Sequence, residues 1–275
     1  MTGIKKINLL LFVFLFPFMG LAQVTGEDTV INYTDINGNK QGTWIKYYNN
    51  DQIRYKGFFI NNQPVDTFYH YHHNGALKAM QIFNDDGSSH TKMYWDNGNI
   101  AAKGQFNKNK EKEGKWIYYF ETGDKESEVT YSDGTKDGNQ IDYYKNGQVL
   151  IAVEYKDGVK DGEYTFYFDS GQVREKGFYS NGLRHGEFFY YEPNGVVYER
   201  GIYRNGLREG KWEIRNNDGE METVIYIKGE RTDRDSIEKA FEEYSKWAKE
   251  NQDKLDNPED YQENPLEYFL KQPNR

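Results

Sequence analysis

A glycine-type position recurs every 24 residues along this chain, at Gly42, Asp66, His90, Gly114, Gly138, Gly162, Gly186 and Gly210. Eight occurrences without drift identify a repeat array, in which each unit packs mainly on its neighbours. About 190 of the 275 residues belong to that unit. Little room is left for a separate catalytic domain.

Counted 1 to 24 from Gly42, the unit carries two turn signals. Positions 9 and 10 read Asn50-Asp51, Asn74-Gly75, Thr122-Gly123, Asn146-Gly147, Ser170-Gly171, Asn194-Gly195 and Asp218-Gly219. Positions 20 and 21 read Asn61-Asn62, Asp133-Gly134, Asp157-Gly158, Asn181-Gly182 and Asn205-Gly206. Such pairs between apolar runs predict two-residue type I′ hairpin turns, whose central residues both need positive φ. Each unit is then a β-hairpin, and successive hairpins pair into one antiparallel meander.

Two-residue turns would fix the register so that position 7 faces 12 and position 3 faces 16. Position 3 is aromatic in Trp44, Phe68, Trp116, Tyr164, Phe188 and Trp212, and position 16 is glycine at 57, 177 and 201. A ring lying over its own unit's strand glycine would cover exposed backbone. Positions 12 and 18 join that face as the expected core. The opposite face holds position 6, a ladder of Tyr47, Tyr71, Trp95, Tyr119, Tyr143, Tyr167 and Tyr191, together with Phe58, Ile82, Phe106, Phe178 and Ile202 at position 17. With both faces half apolar, a flat sheet must twist or find a partner.

The third unit is irregular. Gly87 comes one residue late and Gly98 one early, which predicts a bulge or shortened strand near residues 90–97. A half-repeat ending in Asn37-Gly38 opens the array. After Asp233 the apolar residues Ile237, Ala240, Phe241, Tyr244, Trp247 and Ala248 follow helical spacing, predicting a capping helix over about 235–251. An acidic tail with Pro258, Pro265 and Pro273 follows. The expected fold is an all-β repeat, an elongated antiparallel β-meander with a C-terminal α-helical cap. Its divisions are a leader (1–22), a half-repeat (23–41), eight hairpin repeats (42–233) and cap plus tail (234–275).

The leader has Lys5 and Lys6, an apolar stretch at 7–19 and Gly20-Leu21-Ala22, the pattern of a cleaved secretory signal. Its apolar run is shorter than the roughly 20 residues that span a bilayer. An exported chain, periplasmic or extracellular and without stable membrane insertion after cleavage, is expected. The net charge is −9, which disfavours nucleic acid and anionic lipid as partners. With no cysteine, disulfides and thiol chemistry are excluded. Aromatics make up 17% of the residues, unlike a disordered chain.

Catalysis would need a polar constellation that breaks the repeat. The strongest is His70, His72 and His73, with His70 and His72 on one strand face as weak metal candidates. No paired acid/base carboxylates, nucleophile elbow or phosphate loop occurs, and no cofactor is expected. The aromatic ladder is the candidate binding surface, for a protein partner or, alternatively, for stacking on a glycan.

The unit GEYTFYFDSGQVREKGFYSNGLRH at 162–185, with GEFFYYEPNGVVYERGIYRNGLRE after it, resembles the MORN-repeat variant of bacterial proteins. The shared features are the leading Gly, the aromatic at position 3, the Tyr pair, the first N-G turn, the G-x-Y strand and the closing N-G. The resemblance covers roughly 31–233 and implies an elongated twisted meander that serves as an interaction or scaffolding module. Some similar proteins carry the label YwqK-family antitoxin. The resulting expectation is an exported, non-catalytic protein-binding scaffold. The alternatives are a cell-envelope carbohydrate-binding module, and a metal protein or enzyme built on the second and third repeats.

Overall fold

The computed structural model describes residues 30–232 and a few helical residues beyond them, namely Glu242, Ser245, Lys246, Trp247, Lys249 and Glu250. Trp247 is half-buried. The leader, the acidic tail and the other proposed cap residues (Ile237, Ala240, Phe241, Tyr244 and Ala248) lie outside the described residues.

Among the described residues eighteen strands form one open antiparallel sheet in which each strand pairs with its neighbours in sequence. The first, Tyr33–Thr34, and the last, Glu230–Thr232, are short. Short edge strands limit the unpaired backbone that invites edge-to-edge association.

The two turns of each unit differ, and one departs from expectation. At positions 20 and 21 both residues have positive φ, for example Asp157 (48°) and Gly158 (84°), as a type I′ turn requires. At positions 9 and 10 only the second does, as at Gly147 (83°). There the Tyr144 N–H donates to the Gln148 carbonyl at 2.8 Å, and the Gly147 N–H to the Tyr144 carbonyl at 2.9 Å. This is a three-residue loop, a type I turn closed by a left-handed residue. The extra residue moves the register, so position 6 rather than 7 faces 12, as in Tyr47 opposite Ile53.

Position 3 does face position 16 (Trp44 opposite Gly57, Tyr164 opposite Gly177). The ring over each glycine nevertheless belongs to the next unit. A methyl group on Gly57 would overlap Phe68, one on Gly177 would overlap Phe188, and one on Gly201 would overlap Trp212. The cause is a bulge at position 1. Gly186 has φ 73°, and pairing jumps from Lys176 opposite Phe189 to Phe178 opposite His185. Three residues thus oppose one glycine, and the last of them folds its ring onto it.

These rings make a core in a single layer. Trp116, Phe188 and Trp212 are fully buried. Phe188 and Trp212 meet Tyr203 edge-to-face, with centroids 4.9 and 5.1 Å apart, a favoured aromatic geometry. The outer cover comes from Lys or Arg at position 23. Lys112 lies over Trp116, Lys160 over Tyr164, Arg184 over Phe188 and Arg208 over Trp212, at 4.3–5.6 Å from the ring centres. Their aliphatic stems can shield apolar surface while the charge stays in water, and each contact adds about 0.5–2 kcal/mol of cation–π attraction.

The third unit is shortened, as its spacing implies. Its first strand, Ser89–Tyr94, has six residues and pairs with Leu77–Phe83 without a register shift, so the position-1 bulge is missing. A three-residue turn, with the Gly87 N–H donating to the Asn84 carbonyl at 3.0 Å, replaces the two-residue one. The frame therefore slips by one residue until the similarly enlarged turn at Asn107 restores it, where the Lys110 N–H donates to the Asn107 carbonyl at 2.9 Å.

Candidate functional site

The second face carries the ladder, but its membership changes. The slip places Tyr94 opposite Ile100, the relation that Tyr47 has to Ile53. Tyr94 therefore holds the ladder place and Trp95 falls in the turn. By the same slip Phe106 leaves the second face and packs edge-to-face on Trp116 at 4.9 Å. Tyr47 is exposed, whereas Tyr71, Tyr119, Tyr143, Tyr167 and Tyr191 are half-buried.

No ladder ring stacks on another among the described residues. Several lie beneath a lysine instead: Lys103 over Tyr119, Lys125 over Tyr143 and Lys176 over Tyr191, at 5.0–5.9 Å. A ring covered in this way is a poor platform for a sugar. Glu128 joins the cover, bonding Lys115 at 2.9 Å and also pairing with Lys125. Those two lysines hold its carboxyl down at about 2. Beside the ladder, Phe58, Ile82, Phe178 and Ile202 at position 17 remain 41–44% exposed. They form two apolar pairs, Phe58 with Ile82 and Phe178 with Ile202, parted by Thr130 and Glu154 at the same position, and clustered apolar residues left in water mark interaction surfaces more often than isolated ones do.

A second row of side chains, with Trp95 moved into it from the ladder, cross-links the units along the three-residue turns. The Tyr48 hydroxyl donates to the Tyr71 carbonyl at 2.8 Å, and the Trp95 indole N–H to the Tyr119 carbonyl at 3.1 Å. Likewise the Tyr144 hydroxyl donates to the Tyr167 carbonyl at 2.7 Å. Position 7, immediately after the ladder residue, was the available signal.

The histidines do not converge. His70 lies near Tyr55 and Phe68, both at 6.1 Å between ring centres. Burial, aided by Lys78 and Arg54, lowers its imidazole pKa below the usual value. His72 belongs to the turn row. Its Nδ1 lies 2.9 Å from Asp96 and its Nε2 3.1 Å from the Tyr94 carbonyl. His73 stacks on Tyr48 at 3.8 Å. His70 lies within the Gln63–Tyr71 strand and His72 beyond its end, and the two rings have different partners. Among the described residues no group of three His, Asp or Glu side chains is placed to hold a metal ion.

The second face is notched between units where positions 2, 4, 15 and 17 meet. The notch at Phe189, Arg200, Ile202 and Lys211 encloses about 200 Å³. The one at the shortened third unit, lined by Met80, Ile82, Lys92, Lys103, Lys115 and Ile117 among others, encloses about 410 Å³. The missing bulge thus coincides with the larger opening. The balance of charge also reverses locally. Residues 92–115 hold six lysines against three carboxylates, in a chain of net charge −9.

Among the described residues no helix is long and apolar enough to cross a membrane. No curated protein matches the chain. Among solved structures, the crystal structure of TcdB2-TccC3-TEV aligns at 11% identity over 70% of this chain and 13% of that one, with a TM-score of 0.23. The chain thus spans a small part of that protein's length. The repeats give a positive identification. The model of the MORN repeat variant matches residues 40–61, 90–108, 112–133, 136–157, 160–181 and 184–205. The 90–108 match is three residues shorter than the other five, in the unit that lost its bulge. With six matched repeats in one antiparallel meander, the chain belongs to the MORN repeat variant family.

Proposed function

We propose that this chain is an exported, non-catalytic scaffold that binds another protein through the second face of its sheet. MORN repeats are generally binding modules, and the two exposed pairs Phe58 with Ile82 and Phe178 with Ile202, beside half-buried tyrosines, carry the reading. The core face is already filled by its own rings and cations, so the second face is the one with unsatisfied apolar surface. Export rests on the leader, with its two lysines, apolar stretch and small residues before Gln23. Kinship with the YwqK-labelled antitoxin proteins belongs to the same proposal and rests on the repeat pattern alone.

The test pairs the wild type with a Phe178→Ser, Ile202→Ser variant. Both are used as bait in extracts of the native cell envelope, with captured proteins quantified by mass spectrometry. The scaffold reading expects a partner retained by the wild type and lost by the variant, with thermal melting unchanged. Equal capture by both baits sinks it, as does a reproducible hydrolytic turnover by the purified chain.

A further inference from the structure

Lys92 and Lys103 stand directly opposite each other on neighbouring strands. Like charges in that relation repel and destabilise a sheet. The other units avoid it, placing Ile45 opposite Lys56, Thr165 opposite Lys176 and Phe189 opposite Arg200. Neither Lys92 nor Lys103 has a carboxylate partner among the described residues, and Lys103 contacts only the Tyr119 ring face as a cation. Both line the 410 Å³ notch, next to the apolar side chains of Met80, Ile82 and Ile117. The site therefore suits a carboxylate-rich, extended segment with apolar side chains.

The chain contains such a segment. Residues 256–267 carry Asp256, Glu259, Asp260, Glu263 and Glu267 with no lysine or arginine, and Tyr268-Phe269-Leu270 follows directly. Reach is sufficient. Eleven strand spacings separate the Ile100–Phe106 and Glu230–Thr232 strands, about 53 Å along the sheet. The residues from 233 to 255 extend about 60 Å even with 242–250 counted at helical rise. A nucleic acid or an anionic membrane would meet the repulsion of the whole acidic molecule, whereas a short peptide meets mainly the local lysines.

We propose that the notch over the third repeat is the docking site for this chain's own acidic segment, residues 256–270, held by Lys92 and Lys103. The proposal rests on the reading of the second face as a binding surface. It makes the tail an internal competitor for part of that surface.

Zero-length carbodiimide cross-linking of the full chain, read by peptide mass spectrometry, tests it. The reagent joins an amine to a carboxylate only at ion-pair distance. The expected result is an amide between Lys92 or Lys103 and a carboxylate in 256–267. With a mixture of isotope-labelled and unlabelled chains, the linked peptides should be of one isotope only. A Lys92→Arg, Lys103→Arg variant keeps the charge but not the reactive amine, and should lose these links. In the wild type, 0.5 M salt should reduce them at least fivefold. Tail carboxylates linked only to other lysines, links mainly between differently labelled chains, or no tail links at all would each overturn the proposal. Partner capture by the Phe178/Ile202 surface can still succeed in those cases, so this failure is distinct from failure of the scaffold reading.

Discussion

The region from Ile151 to Tyr226 and the third repeat solve the same packing problem with different materials. In the first, Val153, Tyr164, Phe188, Tyr203 and Trp212 form a continuous buried cluster. Arg184 binds the hydroxyls of Tyr190 and Tyr203, each at 3.2 Å, and Glu175 at 2.7 Å. Burial pushes the Glu175 carboxyl up against the downward pull of Arg184, and it pushes the Tyr164 hydroxyl up to about 12. In the third repeat the position opposite the strand glycine is Thr91 instead of an aromatic. Thr91 is buried, and its hydroxyl has no partner among the described groups. Ser88 and Ser89 are buried beside it, with the Gln81 amide bonding Ser89 at 2.7 Å. A one-layer core thus tolerates a polar unit where neighbouring rings carry the burial.

This contrast can be broken most forcefully at Trp212. Trp212→Ala should cost about 3–5 kcal/mol, measured by chemical denaturation, whereas Thr91→Ala should cost under about 1 kcal/mol. Comparable losses at the two sites would erase the distinction. Gly201→Ala drives a methyl group into the Trp212 ring and should cost about 1–3 kcal/mol. Thr91→Val removes the unpaired buried hydroxyl and should stabilise by about 1 kcal/mol. Native-state hydrogen exchange should correspondingly show the amides of Ser89–Tyr94 opening more readily than those of Leu183–Tyr191. The smallest effect lies between the regions, at Glu128. Its folded pKa is depressed, so its stabilisation is full above the ordinary carboxylate range and is lost as pH falls toward about 2. Glu128→Gln should remove up to about 1 kcal/mol of stability at pH 7 and little at pH 2, read from melts at both values.

Much of this contrast was visible in the residues. The period, the type I′ turns at 20 and 21 and the shortened third unit follow from glycine spacing and turn chemistry, whereas position 3 meets 16 because a bulge at position 13, as at Arg54, cancels the residue added by the larger turn. The three-residue turns did not follow, because Asn-Gly suits either a type I′ turn or the end of a type I loop, and only the hydrogen bonds distinguish them. That choice shifted position 12 opposite 6. In the third unit a one-residue slip, marked by Gly87 and Gly98 but not carried into the fixed count of 24, exchanged Trp95 for Tyr94 and moved Phe106 to the core face. The position-23 cations were present in the sequence as Lys112, Lys160, Arg184 and Arg208, but an outward charge reads as solvated until the ring beneath it is known. Lys92 and Lys103 are eleven residues apart and become neighbours only through the register.

The seating of Phe68, Trp116, Phe188 and Trp212 on glycines of the preceding units gives the array a direction. A unit removed from the C-terminal side takes away a ring and bares the backbone beneath it. A unit removed from the N-terminal side leaves a ring without a seat. Shortening the array from its two ends is therefore inequivalent, and a circular rearrangement of its units would have to cut between a glycine and the ring that closes over it. The growth of such a chain by whole-unit duplication needs only that each new copy bring one seat, a glycine or a buried valine such as Val153, for its successor and one ring for its predecessor.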